Sequence, residues 1–164
     1  VSEIVVRRAT PDEFSLIGAI TVAAYEADGL LVADPEYVHE LSDAARRAEH
    51  AELLVAVNPE GELLGSVTVV RSGTEYAEIS REDELEFRML STTPAARGRG
   101  IGEALTRAVL DRARELGLRR VVLCSLDNMK SAHRLYERLG FSPLAERDWE
   151  PVPGFWLRAY AADV

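Results

Sequence analysis

The chain has 164 residues, 47% of them hydrophobic, which suits one domain with a substantial core. Its 19 Lys and Arg against 28 Asp and Glu give a net charge of -9, which argues against nucleic acid or an anionic membrane as main partner and fits simple solubility better than a cationic substrate. No apolar run approaches membrane-spanning length, no basic leader opens the chain, Cys124 is alone and 3 histidines are scattered, so a cytoplasmic protein without disulfides or a metal site is expected.

Predicted elements alternate along the chain. A short strand at residues 4–6 leads to Thr10-Pro11-Asp12-Glu13, where Thr10 caps, Pro11 takes a first-turn position whose N–H would be unpaired anyway, and Glu13 completes a capping box. Phe14, Ile17 and Ile20 mark one face of the helix that follows. Asp34-Pro35 repeats the device, and Tyr37, Leu41, Ala44 and Ala48 recur at helical spacing, predicting a second helix. Residues 53–57 and 62–70, joined by Asn58-Pro59-Glu60-Gly61, read as an antiparallel hairpin. A third strand, 84–91, carries the chain into a glycine-dense turn, and an amphipathic helix, 103–116, buries Leu105, Ala108, Val109, Ala113 and Leu116 before Gly117 stops it. The next strand is 121–126, and a helix between two strands implies a parallel pair. A shorter helix, 130–139, buries Ala132, Leu135, Tyr136 and Leu139, and strands at 141–147 and 155–160 close an α/β sheet of mixed direction.

The turn reads Arg97-Gly98-Arg99-Gly100-Ile101-Gly102. Glycine lets backbone approach an oxyanion, consecutive amides point into the turn, and the following helix adds the positive end of its dipole. A nucleoside-triphosphate loop needs Gly-Lys-Ser/Thr, but Glu103 and Ala104 follow Gly102. A dinucleotide fingerprint needs its third glycine where Glu103 or Leu105 stands. What remains is Arg-x-x-Gly-x-Gly, and a tight turn alone does not need three glycines in five residues.

Strand, Arg-x-x-Gly-x-Gly, helix, strand and a short helix with Leu135-Tyr136-Glu137-Arg138-Leu139-Gly140-Phe141 form an order that resembles the GNAT family of N-acetyltransferases, including uncharacterised bacterial members. Met89-Leu90-Ser91-Thr92-Thr93-Pro94 is the third matching piece. The resemblance implies a single GNAT domain over residues 1–164, with a mixed, mostly antiparallel sheet and a central parallel pair flanked by helices. It implies acetyl-coenzyme A as co-substrate, its pyrophosphate on the amides of Gly98, Arg99, Gly100, Ile101 and Gly102, with Arg97 and Arg99 as cationic contacts. The pantetheine arm would hydrogen-bond to the backbone of Leu90, Ser91 and Thr92, and an N–H near Leu90 would polarise the thioester carbonyl. Tyr136 matches the family tyrosine that protonates the departing thiolate; a phenol stays protonated at neutral pH.

Glu86 is the candidate general base, on the strand leading to the turn; equally, Glu84 or Glu86 would pair with Arg88 or another arginine. An amine arriving neutral needs no base. Many relatives place asparagine seven residues before the tyrosine, where this chain has Met129; Asn128 either takes over the pantetheine contact or caps the helix at 130. Cys124 reads as a small buried hydrophobe, since the family attacks directly, and His39, His50 and His133 read as solvated. Acceptor specificity falls to two segments, Tyr25, Glu26, Asp28, Asp34 and Tyr37 in one and Arg147, Asp148, Trp149 and Glu150 in the other, a rim suited to an amine beside an apolar group. The expected function is acetyl transfer to a small-molecule or peptide amine in a ternary complex, by a monomer or homodimer. The alternative is a non-catalytic acyl-coenzyme A binding or sensing module, and a longer acyl donor fits the same spacing.

Overall fold

Capping signals and hydrophobic periods produce elements in the predicted order. The computed structural model describes residues 3–27 and 35–164. Among them are strands β1 (Val5–Arg8), β2 (Glu52–Val57), β3 (Leu63–Arg71), β4 (Glu84–Thr92), β5 (Arg120–Leu126), β6 (Ser142–Pro143), β7 (Trp149–Val152) and β8 (Phe155–Asp163). The helices are α1 (Phe14–Ala27), α2 (Pro35–Ser42), α3 (Ala44–His50), α4 (Ile101–Glu115) and α5 (Lys130–Arg138). The chain falls into two compact units, Val1–Val69 with Met89–Ala108, and Val70–Arg88 with Val109–Val164, so β4 and α4 each contribute to both.

In the first unit β1, β2, β3 and residues 89–92 of β4 are neighbours in that order, and β1–β2 and β2–β3 are antiparallel. The predicted face of α1 is buried: Ile17 and Ile20 pack with Ala44 of α3 and with Leu53, Val55, Val57 and Leu63 of the hairpin. Each of the Ile, Leu and Val side chains contributes about 1.5–3 kcal/mol by leaving water, which holds the helices onto the strands. The helix predicted after Pro35 divides in two at Asp43. Asp43 caps α3 by accepting from the Arg46 amide at 3.1 Å, while the buried Arg47 guanidinium donates to the Glu40 and Leu41 carbonyls at 2.7 Å each and ends α2. Gly18 of α1 is needed for this arrangement, because a Cβ there would lie 2.0 Å from the Ser42 carbonyl oxygen.

In the second unit residues 84–87 of β4, then β5, β8 and β6 are neighbours, with β7 on β8. β4 and β5 are parallel from Glu84↔Arg120 to Phe87↔Leu123, as the intervening helix requires; β5 and β8 are antiparallel from Arg120↔Asp163 to Leu126↔Leu157. The strand expected at 141–147 shrinks to β6. Pro143 has no N–H for a ladder, and a 3-10 turn at Ala145–Arg147 follows at once. Three buried rings of this unit, Phe87, Tyr136 and Phe141, pack together, with centroids 5.9, 6.3 and 5.8 Å apart in tilted and edge-on pairs.

Candidate active site

The glycine turn has the form its composition calls for. Gly98 and Gly100 have φ of 79° and 80°, a region that side chains other than glycine rarely occupy, and a Cβ at either would meet nothing within 4 Å. α4 begins at Ile101, two residues earlier than the sequence suggests, so Ile101 and Gly102 lie in its first turn. The first bond into the helix runs from the Ala104 amide to the Gly100 carbonyl at 3.0 Å, and the amides ahead of it project from the helix end. Open space over positive-φ glycines at a helix N-terminus is a place for an oxyanion. Arg97 and Arg99 are exposed, and the Arg97 Nη2 donates to the Ala24 carbonyl in the last turn of α1 at 3.3 Å.

The strand leading into the turn is irregular at one residue. Met89 has φ 56°, the one positive φ outside glycine among the described residues, and its side chain is buried. Such a conformation costs about 1–3 kcal/mol and breaks the alternation of peptide groups at the start of the Leu90, Ser91 and Thr92 segment. The parallel register ends at Phe87, so β4 continues past its ladder with β5. On the β3 side the segment is tightly seated. A Cβ on Gly65 would lie 2.5 Å from the Ser91 carbonyl oxygen, 2.8 Å from Ile101 Cγ2 and 3.3 Å from Leu105 Cδ1, so a side chain at 65 would displace both the strand end and the start of α4. The buried Ser91 hydroxyl stands 3.4 Å from that of Ser66 and 3.5 Å from that of Thr21, which donates to the Ile17 carbonyl at 2.8 Å. Sequence reasoning missed Gly65; a lone glycine inside an apolar strand is the signal that marks such close approach. Nothing in the sequence marks Met89.

Glu84 and Glu86 are wholly buried in the second unit, each with a different partner. Glu84 takes Arg147 through two bonds, 2.5 and 3.0 Å, and the Arg81 amide at 2.9 Å. Burial pushes its carboxyl up, but the Arg147 hydrogen bonds, the Arg81 amide and the charges of Arg147 and Arg120 outweigh this and hold it below the usual carboxylate range. Glu86 accepts backbone amides instead: Glu78 at 3.0 and 3.2 Å, Ile79 at 3.3 Å and Ser80 at 3.1 Å. Arg88 turns to Glu78 at 3.2 Å and to the Tyr76 carbonyl at 3.2 Å. The alternative pairing with an arginine holds for Glu84, while Glu86 clamps the loop at residues 78–80.

Tyr136 is 4% exposed, its ring among those of Phe87, Phe141 and Tyr160. Burial, with Tyr160 nearby, raises its phenol above the ordinary range, so it is protonated at neutral pH. Asn128 is exposed and does not cap α5; the N-cap is Met129, without a side-chain bond, and the Asn128 carbonyl accepts the Lys130 amide at 3.0 Å. His133, expected in solvent, is buried: its Nε2 lies 3.1 Å from the Leu126 carbonyl oxygen and its ring 5.2 Å from that of Tyr160. Helical periodicity places it one turn before Tyr136 on the same face. Burial pushes the Cys124 thiol up to about 12, with the Glu78 charge adding, so it is inert as a nucleophile.

Of the residues expected to set acceptor specificity, several have other partners. Tyr25 and Tyr37 do meet edge-on at 6.1 Å, and Glu26 is exposed, whereas Asp28 and Asp34 lie outside the described residues. Arg147 is not a rim residue, since its side chain is 8% exposed and spent on Glu84. Asp148 accepts the Ala159 amide at 2.7 Å and pairs with Arg158 at 3.3 Å, and Glu150 closes the hairpin by accepting the Gly154 amide at 3.0 Å. Loop acids and arginines read as solvent-facing in a sequence because their long-range partners are not visible there.

The model of the acetyltransferase (GNAT) family matches residues 19–141. The chain belongs to the GNAT family. The glycine turn, the irregular end of β4 and Tyr136 all fall inside that match. YjgM of Escherichia coli (strain K12), an uncharacterized N-acetyltransferase, is 34% identical over 113 residues, covering 69% of this chain and 63% of YjgM. The chain spans less than two thirds of the length of the curated relatives it matches first. A GNAT acetyltransferase from Staphylococcus aureus Mu50 superposes with TM-score 0.77 at 14% identity, over 98% of this chain and 99% of that one. The Salmonella typhimurium protein yncA, solved with its cofactor acetyl-CoA, superposes with TM-score 0.69 at 20% identity, over 99% of this chain and 94% of that one. These likenesses establish the GNAT fold, with its mixed sheet and parallel β4–β5 pair. Among the described residues no helix is long and apolar enough to cross a membrane and no group of His, Cys, Asp and Glu has metal-binding geometry.

Proposed function

We propose that this GNAT chain transfers an acetyl group from acetyl-coenzyme A to an amine, a small molecule or a peptide, by direct attack with both bound. The observation that carries the reading is the glycine turn: two positive-φ glycines with open space above them at the N-terminus of α4 fit a pyrophosphate, and Arg97 and Arg99 add positive charge. Leu90, Ser91 and Thr92 offer backbone groups to the pantetheine, and Asn128, one residue before the position where relatives place an asparagine, takes over its contact. Acetyl-coenzyme A, when bound, supplies the thioester whose acetyl group moves. An N–H near Leu90 holds the thioester oxygen as charge develops on it, an interaction worth several kcal/mol in related chemistry. Tyr136 gives its proton to the leaving sulfur, and the proton shed by the amine makes good the loss: a C–N bond forms, a C–S bond breaks, and free thiol and amide result.

Glu86 serves this scheme as a clamp on residues 78–80. Its oxygens accept the amides of residues 78–80, and the amine enters neutral or gives its proton to Glu86 directly or through water. Residues 1–164 work as one catalytic domain, monomeric or homodimeric, in the cytoplasm, where acetyl-coenzyme A is available. The test mixes the protein with acetyl-coenzyme A and a panel of polyamines, aminoglycosides, amino acids and peptide N-termini, and follows thiol release. Turnover on at least one amine is expected. Saturable coenzyme binding with no turnover on any would leave an acyl-coenzyme A binding module.

A further inference from the structure

His133 and Tyr136 are the buried residues of α5, one helical turn apart. α5 is short and lacks a side-chain cap at its start, since the N-cap Met129 makes none. The contact that replaces the cap comes from inside the helix: the His133 ring reaches back to the Leu126 carbonyl at the end of β5, at 3.1 Å. A carbonyl only accepts, so Nε2 carries the proton. The same carbonyl takes the Met129 amide at 3.0 Å, and the His133 amide donates to the Met129 carbonyl at 3.1 Å, which closes the β5–α5 turn around one acceptor. The other side of the ring rests on Tyr160, whose own ring lies 6.1 Å from that of Tyr136. The two tyrosines and the histidine are one packed unit.

We propose that His133 is a positioning residue for proton donation by Tyr136, pinning α5 to the end of β5 through the Leu126 carbonyl and so setting where the Tyr136 hydroxyl stands. This rests on Tyr136 being the proton donor. The groups around the imidazole keep it neutral. Burial against Tyr160 lowers its pKa, the Leu126 bond opposes this, Lys130 lowers it further, and Asp127 and Glu137 act the other way. A second ring proton would have to be buried, so neutral His133 is the working form.

A double-mutant cycle tests it, with hydroxylamine as the amine because it is unprotonated at neutral pH and small enough to need no acceptor pocket. Catalysed turnover and acetyl-coenzyme A affinity are measured for wild type, His133→Asn, His133→Gln, Tyr136→Phe and His133→Asn/Tyr136→Phe, with melting temperatures recorded. Asn is too short to reach Leu126 and should lower kcat on the order of tenfold with coenzyme affinity unchanged. Gln carries an N–H at the reach of Nε2 and should restore kcat to within about threefold of wild type. In the Tyr136→Phe background His133→Asn should change kcat less than about twofold, because the group it positions is gone. Additive losses, or equal losses in Asn and Gln, would overturn the positioning role while leaving Tyr136 in place. Wild-type kcat in Tyr136→Phe would overturn the reading of Tyr136 itself, and the inference with it.

Discussion

Gly65→Ala is the sharpest perturbation the first unit offers, because it adds one methyl group at the junction of β4 and α4. The new Cβ would lie 2.5 Å from the Ser91 carbonyl oxygen and 2.8 Å from Ile101 Cγ2, where ordinary contact starts at 3.4 Å, so the strand end must move about 0.9 Å and the helix start about 0.6 Å. Neither can give cheaply: the first is backbone, and Ile101 is buried at 2% exposure. Overpacking of this kind costs about 1–3 kcal/mol, a fall in Tm of roughly 2–12 °C for a chain of this size. Ser91 precedes the glycine turn and Ile101 lies within it, so a shift of this size misplaces the backbone groups proposed to hold the coenzyme, and the acetyl-coenzyme A Kd should rise about tenfold or more. Calorimetric titration and thermal melts read the two effects. Gly61→Ala, at a hairpin turn with φ 83° and open space around it, is the control: it should cost stability by left-handed strain yet leave Kd unchanged. A Gly65→Ala protein that melts lower but binds coenzyme normally would refute the link between this packing and the donor site.

Gly100→Val should remove measurable coenzyme binding in a folded protein, since a β-branched residue at φ 80° is strained by about 1–3 kcal/mol and its side chain enters the open space above the turn; circular dichroism with titration decides. Arg147→Met should cost about 3 kcal/mol in urea unfolding by leaving Glu84 buried without its main partner, and a Glu84→Leu/Arg147→Met double variant should lose less than the single. The Glu13 carboxyl is held at about 2, chiefly by the hydrogen bond from Arg7. Its folded pKa is below the ordinary 4.5, so the stability it contributes is full above that value and is lost as pH falls toward 2. Because Arg7 is 39% exposed, solvent screening brings the contribution to about 1 kcal/mol, and Glu13→Gln should flatten that part of the stability–pH curve.

Short-range physics made most of this fold legible in the sequence. Thr10-Pro11-Asp12-Glu13 starts α1, Asn58 to Gly61 turns the hairpin, Gly117 and Gly140 end helices with φ of 72° and 95°, and a helix between β4 and β5 fixes their parallel pairing. The glycine turn was legible for the same reason, since positive φ has a residue signature. Partners far apart in sequence were not. Arg147 reaches Glu84 across 63 positions, and Glu86 finds three amides of a loop that carries no motif. His133 sits among charged neighbours in sequence yet under Tyr160 in space. Asp43 looked like an interior helix residue because Ala44 and Ala48 continue the period, and only the buried Arg47 shows where α2 must stop.

Product analysis on the protein incubated with acetyl-coenzyme A and the amine panel bears most directly on the function. Mass spectrometry of the amine and titration of free thiol should show acetylated amine and released thiol in equal amounts, both lost in Gly100→Val and slowed in Tyr136→Phe. Coenzyme that binds to saturation and is recovered intact, with no amine acetylated, would contradict the assignment.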